Sequence, residues 1–189
     1  MSIVLWFEKW KQKRASRSLR KGQANCVYRR VVKQARHPWF YSKLNIDDTV
    51  EKRSELVILH LFLVSQCFRD DSDFILVVRS IMEVWVEDLD RALRALGTGD
   101  LVIGLKVKKM VAKTMVRLTE YREAYNLGDE EFYRAVECVF FQGKITSEEV
   151  TCALLVNYIQ NVILVMAGYS FEQFMEGEVS FPNLELKVA

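Results

Sequence analysis

Residues 88–110 read DLDRALRALGTGDLVIGLKVKKM. Whether GTGDLVIGLK within them is a phosphate cradle or a corner between two helices decides between an α/β nucleotide-binding fold and a helical bundle. A P-loop requires G-x-x-x-x-G-K-[ST], because backbone N–H groups wrap the phosphates, the lysine reaches them and the hydroxyl holds Mg²⁺. Gly99 and Gly104 have that spacing, but Leu105, Lys106 and Val107 follow, so the lysine comes one position late and the hydroxyl is missing. The dinucleotide fingerprint fails as well, since Gly97 and Gly99 are not followed by a third glycine at the required interval. Both motifs also demand a preceding strand, and the residues before Gly97 have the apolar spacing of a long helix. The stretch therefore reads as a helix stopped at Gly97, a short turn shaped by Gly97 and Gly99, and a new helix with Asp100 as its N-cap.

Helical periodicity continues on both sides of this corner. Downstream, Val107, Met110, Val111, Thr114, Met115 and Leu118 keep a 3.6-residue period, and Phe132, Ala135, Val136, Val139 and Phe140 mark a further helix ending at Gly143. Thr146 and Glu149 form a capping box for the next one. Upstream, FILVVRSIMEVWVEDLDRALRAL is separated by the acidic RDDSD from an apolar helix that starts near Asp48 or Thr49 and runs through ELVILHLFLVSQCF. Before that, Ala24, Val27, Tyr28, Val31, Val32 and Ala35 share one helix face, and Pro38 disfavours helical geometry at His37, so the helix ends near Arg36. The tail FPNLELKVA is irregular or weakly extended. The expected fold is all-α, a single multi-helix domain of about seven helices, with a basic arm over residues 1–21 and the helical domain over residues 22–189.

Residues 150–171 carry no charge over 22 positions, long enough to cross a bilayer of about 30 Å. Asn157, Gln160 and Asn161 nevertheless group on one face, opposite Leu155, Tyr158, Ile159, Val162 and Met166. A polar strip of this kind predicts an amphipathic helix that buries its apolar face in a soluble domain.

The net charge of +2 conceals a strong asymmetry. Twelve Lys/Arg against Glu8 alone put residues 1–43 at +11, and the other 146 residues, with fifteen basic and twenty-four acidic side chains, stand at −9. Ile3, Trp6, Phe7 and Trp10 fall at i, i+3, i+4 and i+7, followed by a basic run that includes Lys13 and Arg14. That pattern suits a helix lying in the interface of an anionic membrane, where each nearby basic residue adds about 1 kcal/mol. The same arm also suits RNA or a ribosome surface. A signal peptide is not expected, because the apolar cluster precedes the charges. Cys26, Cys67, Cys138 and Cys152 have no CxxC or metal-ligand spacing and are read as reduced and mostly buried.

No catalytic set appears: the chain has two histidines, His37 and His60, and neither HExxH nor a nucleophile elbow. His60, inside LVILHLFLV, reads as a hydrogen-bonded core residue, with haem or quinone binding as the rival. Glu83, Glu87 and Asp90 share one helix face, and Lys106, Lys109, Lys113 and Arg117 share another just across the turn. The two stripes are expected to pair with each other. These features point to a binding protein with no cofactor, metal or catalytic residue.

Two segments carry a resemblance. VVKQARHPWFYSKLNIDDTVEKRSELVILHLFLV and EDLDRALRALGTGDLVIGLKVKKM are similar to the ubiquinol-cytochrome c chaperone family, which assists assembly of respiratory complex III. Its pattern falls on Gln34, Ala35, Arg36, Pro38, Phe40, Tyr41, Asp48 and Thr49, and on Glu55, Leu56, Leu59, His60, Phe62, Leu63 and Val64. The corner supplies Asp90, Leu93, Arg94, Gly97, Gly99, Asp100, Leu101, Gly104, Val107, Lys108 and Met110. The resemblance covers roughly residues 28–125, and the departures are Lys52 for a glycine, Ser54 for an aromatic residue, and TMVR at residues 114–117 for FYGR.

The resemblance implies a helical, non-enzymatic chaperone that binds newly made cytochrome b, on an apolar or Met-rich groove near a bilayer. Mitochondrial members work at the ribosomal exit with a small partner. This short chain looks like a bacterial member on the cytoplasmic side of the inner membrane, with cytochrome b, an anionic membrane surface and possible ribosome contact as partners, and no DNA. The client site is expected at Asp90, Leu93, Arg94, Asp100, Lys106, Lys108 and Lys109.

Overall fold

A computed structural model describes residues 3–67, 69, 72–141, 148–170, 172–173, 176, 178, 180–182 and 184, with side chains from residue 18 onward except 72–74, 76, 148 and 149. Seven helices are found among the described residues: α1 (Ile3–Ala35), α2 (Trp39–Ser42), α3 (Val50–Cys67), α4 (Ser72–Ala95), α5 (Asp100–Leu127), α6 (Asp129–Phe141) and α7 (Glu148–Ala167). None of the described residues is in a strand. The fold is all-α, as the periodicities predict. The RDDSD loop in part, Gly143, Thr146 of the capping box and most of the tail lie outside the described residues.

α3 is the central helix. Ten successive residues, from Glu55 to Val64, are buried, the mark of a helix packed on all sides. α1, α5 and α7 pack around it, α4 rests against α1 and α5, and α6 bridges α5 and α7. Of the outer helices, α1, α6 and α7 contribute the face their spacing predicts. α1 buries Ala24, Val27, Tyr28, Val31 and Ala35, while α6 buries Phe132, Val136, Val139 and Phe140. α7 is the one described helix long and apolar enough to cross a membrane by length and composition. It buries Leu155, Tyr158, Ile159, Val162 and Met166 against the bundle and leaves Asn157, Gln160 and Asn161 exposed.

The helix ends follow local chemistry. α1 runs unbroken from Ile3 to Ala35 and stops before Pro38. Thr49 Oγ1 accepts a hydrogen bond from the Lys52 amide at 3.2 Å, and Arg53 pairs with Asp48 at 2.5 Å, which secures the start of α3. Lys52, the departure from the family glycine, donates through Nζ to the carbonyls of Val139 at 2.6 Å and Phe140 at 3.1 Å. It thereby places a cation on the negative end of α6, whose last carbonyls have no intrahelical donor.

The glycine corner is a Schellman turn. The Gly97 amide donates to Arg94 O at 2.9 Å and the Thr98 amide to Leu93 O at 3.1 Å, with Gly97 at φ +75°. Gly99 is the N-cap of α5, in extended geometry at φ −64° and ψ 143°, and its carbonyl accepts from the Val102 amide at 2.9 Å. This corrects one expectation: Asp100 is the first residue of α5 and not its cap. Of the two glycines that shape the turn, Gly97 has the positive φ. Gly97→Ala is expected to cost about 1–2 kcal/mol, from the Cβ penalty at that φ, although a Cβ there meets no neighbour within 4 Å. Gly99→Ala should cost well under half as much. Urea unfolding of the two variants separates the roles, and equal losses would contradict the turn assignment.

A candidate client-binding corner beside a methionine-lined groove

The seven residues expected at the client site gather around the α4–α5 corner. Arg94 is its clasp: Nε donates to Asp90 at 2.7 Å and Nη1 to Asp100 at 2.5 Å. Asp90 and Leu93 are half-buried, and Arg94, Asp100, Lys106, Lys108 and Lys109 are exposed. Lys106 reaches back to the Thr98 hydroxyl at 3.5 Å. Arg94 thus offsets one of its two carboxylates and leaves the clasp at −1, and with exposed Lys106, Lys108 and Lys109 beyond it the corner keeps positive charge for a partner. All the clasp groups are open to water, where such pairs add little stability but do orient their side chains.

The two charged stripes do not pair as expected. Glu87 takes Lys21 of α1 at 2.5 Å, Glu83 lies 3.7 Å from Arg79, and Asp90 takes Arg94. Lys113 and Arg117 turn inward to Glu55 of α3, at 3.0 and 3.1 Å. Glu55 is a buried carboxylate, and a buried charge is tolerated only where it is paired. Helix spacing alone directed the lysines to the acidic row across the turn. The packing of α5 directly against α3 turns Lys113 and Arg117 to the buried Glu55 instead.

Between α1, α4 and α5 runs an open groove of about 840 Å³. Met82, Val86 and Met115 give it an apolar floor, and the Lys21–Glu87 pair stands on its rim. Methionine is unbranched and polarizable, so it adapts to irregular apolar partners. The resemblance called for such a groove in general terms, but sequence reasoning did not locate it. Met82 and Met115 are 33 positions apart, and nothing local shows that α1 closes the third side.

His60 is fully buried, and both its ring nitrogens are engaged. Nδ1–H donates to Leu56 O at 2.7 Å, leaving Nε2 to accept the Tyr158 hydroxyl at 2.6 Å, and Gln34 Nε2 donates in turn to that hydroxyl at 3.2 Å. Phe40, Tyr158 and Phe181 surround the ring with centroids 5.5, 5.6 and 5.5 Å away. Burial pulls its pKa down from 6.5 to about 4, against the opposing effect of the Leu56 hydrogen bond. The imidazole is therefore a neutral core connector of α3 and α7, with neither nitrogen directed to a ligand. Burial raises the Tyr158 hydroxyl far above its ordinary range, so that group stays a donor at every physiological pH. Among the described residues no group of three or more His, Cys, Asp or Glu could hold a metal. Of the four cysteines, Cys26 and Cys138 are exposed, against the expectation of burial, because they fall on the outer faces of α1 and α6.

The side chains of Ile3, Trp6, Phe7, Trp10, Lys13 and Arg14 lie outside the described residues, although their backbone belongs to α1.

Comparison with known proteins follows the same architecture. The crystal structure of the Cbp3 homolog from Brucella abortus matches with a TM-score of 0.73 at 22% identity, covering 96% of this chain and 97% of that chain. At that identity the likeness is one of fold. No curated protein matches the chain. A family model described as ubiquinol-cytochrome C chaperone matches residues 42–181. The match begins after the QARHPWFY stretch that first suggested the resemblance, and it extends well past residue 125. Since it takes in the central helix α3, the α4–α5 corner and the aromatic core, the chain belongs to the ubiquinol-cytochrome C chaperone family.

Proposed function

We propose that the chain is a non-enzymatic assembly factor for respiratory complex III, which binds newly made cytochrome b at the α4–α5 corner and holds it until its subunit partners arrive. The observation that carries this reading is the corner itself. Arg94 is held between Asp90 and Asp100, and Lys106, Lys108 and Lys109 are left exposed. Exposed charges of this kind steer a partner and set its register, while the groove floored by Met82, Val86 and Met115 supplies apolar contact for a client built of membrane helices. Family membership supports the role, and it favours a binding protein over an enzyme. In this reading the start of α1, with Ile3, Trp6, Phe7, Trp10, Lys13 and Arg14, rests on the cytoplasmic face of the inner membrane.

The test is capture of the chain from its own cells with photo-crosslinkers at Leu93, Lys106 and Lys109. Cytochrome b should be the enriched membrane protein, crosslinked at these positions. Lys108→Glu should impair complex III assembly with a melting temperature within about 1 °C of the original, because an exposed surface substitution changes stability by less than about 0.5 kcal/mol. Strong crosslinks elsewhere with none at the corner would remove the client from this site.

A further inference from the structure

α5 is apolar on two sides. Ile103, Thr114 and Tyr121 point into the bundle. At about 100° per residue, the opposite direction is taken by Leu101, Leu105, Ala112 and Val116. The exposures agree: Leu101 is 95%, Leu105 70% and Val116 58% exposed, and Ala112 is exposed as well. An exposed apolar row on an outer face, here interrupted at one turn by Lys108 and Lys109, marks a contact surface.

Up to Thr119 the charge around this row is of one sign, and the first acidic residues after it are Glu120, paired with Arg117, and Glu123. Between residues 101 and 119, α5 carries Lys106, Lys108, Lys109, Lys113 and Arg117 and no acidic residue. Lys113 and Arg117 turn inward to Glu55, and Asp100, at the head of the helix, is turned to Arg94. Lys108 and Lys109 lie on the two edges of the leucine row, exposed, and neither forms an ion pair with any described residue.

These features decide among occupants. A single-stranded RNA needs aromatic faces for its bases, and residues 101–119 contain no aromatic side chain. A partner helix pairing as in a coiled coil needs an apolar residue at every turn of the seam, whereas here Lys108 and Lys109 occupy the turn between Leu105 and Ala112. Leucines in hydrocarbon, with lysine stems reaching up from the edges to phosphates, are how a helix lies in a membrane interface. We infer that the outward face of α5, with Leu101, Leu105, Ala112 and Val116 between Lys108 and Lys109, is a lipid-contact surface that rests on an anionic bilayer. The inference goes beyond the client reading while sharing its lysines. The face lies on the membrane and brings the corner, with Leu93, to a client emerging there.

The test uses the full chain with Cys26→Ser, Cys138→Ser and Leu105→Cys, carrying an environment-sensitive dye at position 105, and the same chain without the Leu105→Cys change as blank. Vesicles of equal parts phosphatidylglycerol and phosphatidylcholine should shift the dye to the blue, and lipids brominated in their acyl chains should quench it. Phosphatidylcholine alone should do neither. Adding Lys108→Glu and Lys109→Glu should raise the lipid needed for half the shift at least tenfold, since each basic residue near such a surface is worth about a factor of five. An unshifted dye in a chain that sediments with the vesicles overturns the inference, because another part of the chain then makes the contact. So does an equal shift on neutral vesicles, or a shift produced by polyuridylate instead of lipid. The client reading stands or falls separately, on the crosslinks from Leu93.

Discussion

Phe132→Ala is expected to lower the stability of the folded chain by about 3–5 kcal/mol, the range for removing a buried phenylalanine ring. Phe132 is fully buried on α6 and stands at the centre of an aromatic cluster. Its centroid lies 5.2 Å from Phe62 of α3, and 5.4 and 5.9 Å from Tyr125 and Tyr121 of α5. Rings at these separations and tilts add about 0.5–1.5 kcal/mol per pair beyond their area, so the alanine loses both the transfer term and the ring contacts. It also leaves a cavity where three helices meet. Against a typical total of about 5–15 kcal/mol, the variant should be partly unfolded at growth temperature. Leu105→Ala, on the outward face of α5, should change stability by less than about 0.5 kcal/mol. Urea unfolding followed by far-ultraviolet circular dichroism compares the two. A Phe132→Ala loss below about 1 kcal/mol would mean that α6 does not anchor α3 to α5.

The second large effect is a loss of stability in acid that passes through His60. Its folded pKa is depressed from 6.5 to about 4 by burial, so between these values the unfolded chain binds a proton that the folded chain does not. Stability then rises with pH across this window. The contribution is whole above about pH 6.5, declines as pH falls, and levels off below about pH 4. The full span is about 3 kcal/mol, from 1.36 kcal/mol per pKa unit. Carboxylates titrate in part of the same range, so the test is a difference between chains. Unfolding midpoints at pH 7 and pH 5 should draw together in His60→Gln relative to the original chain. The glutamine variant is less stable at pH 7, having lost the fit to Leu56 and Tyr158. Equal pH dependence in both chains would show that His60 is not held neutral.

The local features of this protein were legible in its residues because they depend on near neighbours along the chain. The stop at Gly97 follows from a turn that requires a positive φ there, and the end of α1 follows from Pro38 acting on its neighbour. The buried face of α7 (Leu155, Tyr158, Ile159, Val162 and Met166) was marked out by the amides of Asn157, Gln160 and Asn161 on its other side. The corner residues of the candidate site were named from the resemblance, and only the pairing of Arg94 with Asp90 and Asp100 is local, being made between near neighbours along the chain.

What the tertiary structure decided is which helix meets which. The lysine stripe of α5 faced an acidic row just across the turn, yet it binds Glu55, because α5 packs on α3 and a buried carboxylate requires a cation more than exposed ones do. Lys52 caps α6 from 87 positions away, and Gln34, His60 and Tyr158 join three helices through one hydroxyl. None of these pairings has a local signature. The groove between α1, α4 and α5 and the outward leucines of α5 belong to the same class. In the sequence alone, Leu101, Leu105 and Val116 are as apolar as core residues, and Val107, Met110, Val111, Thr114, Met115 and Leu118 were read as the inner face, of which Thr114 is buried, Val111 and Leu118 pack on the core and Met115 is exposed. In the fold, Ile103, Thr114 and Tyr121 are the residues that α5 buries. A helix with apolar residues on two sides has no preferred inward direction of its own, so the helices packed against it determine which side becomes core and which is left for a partner.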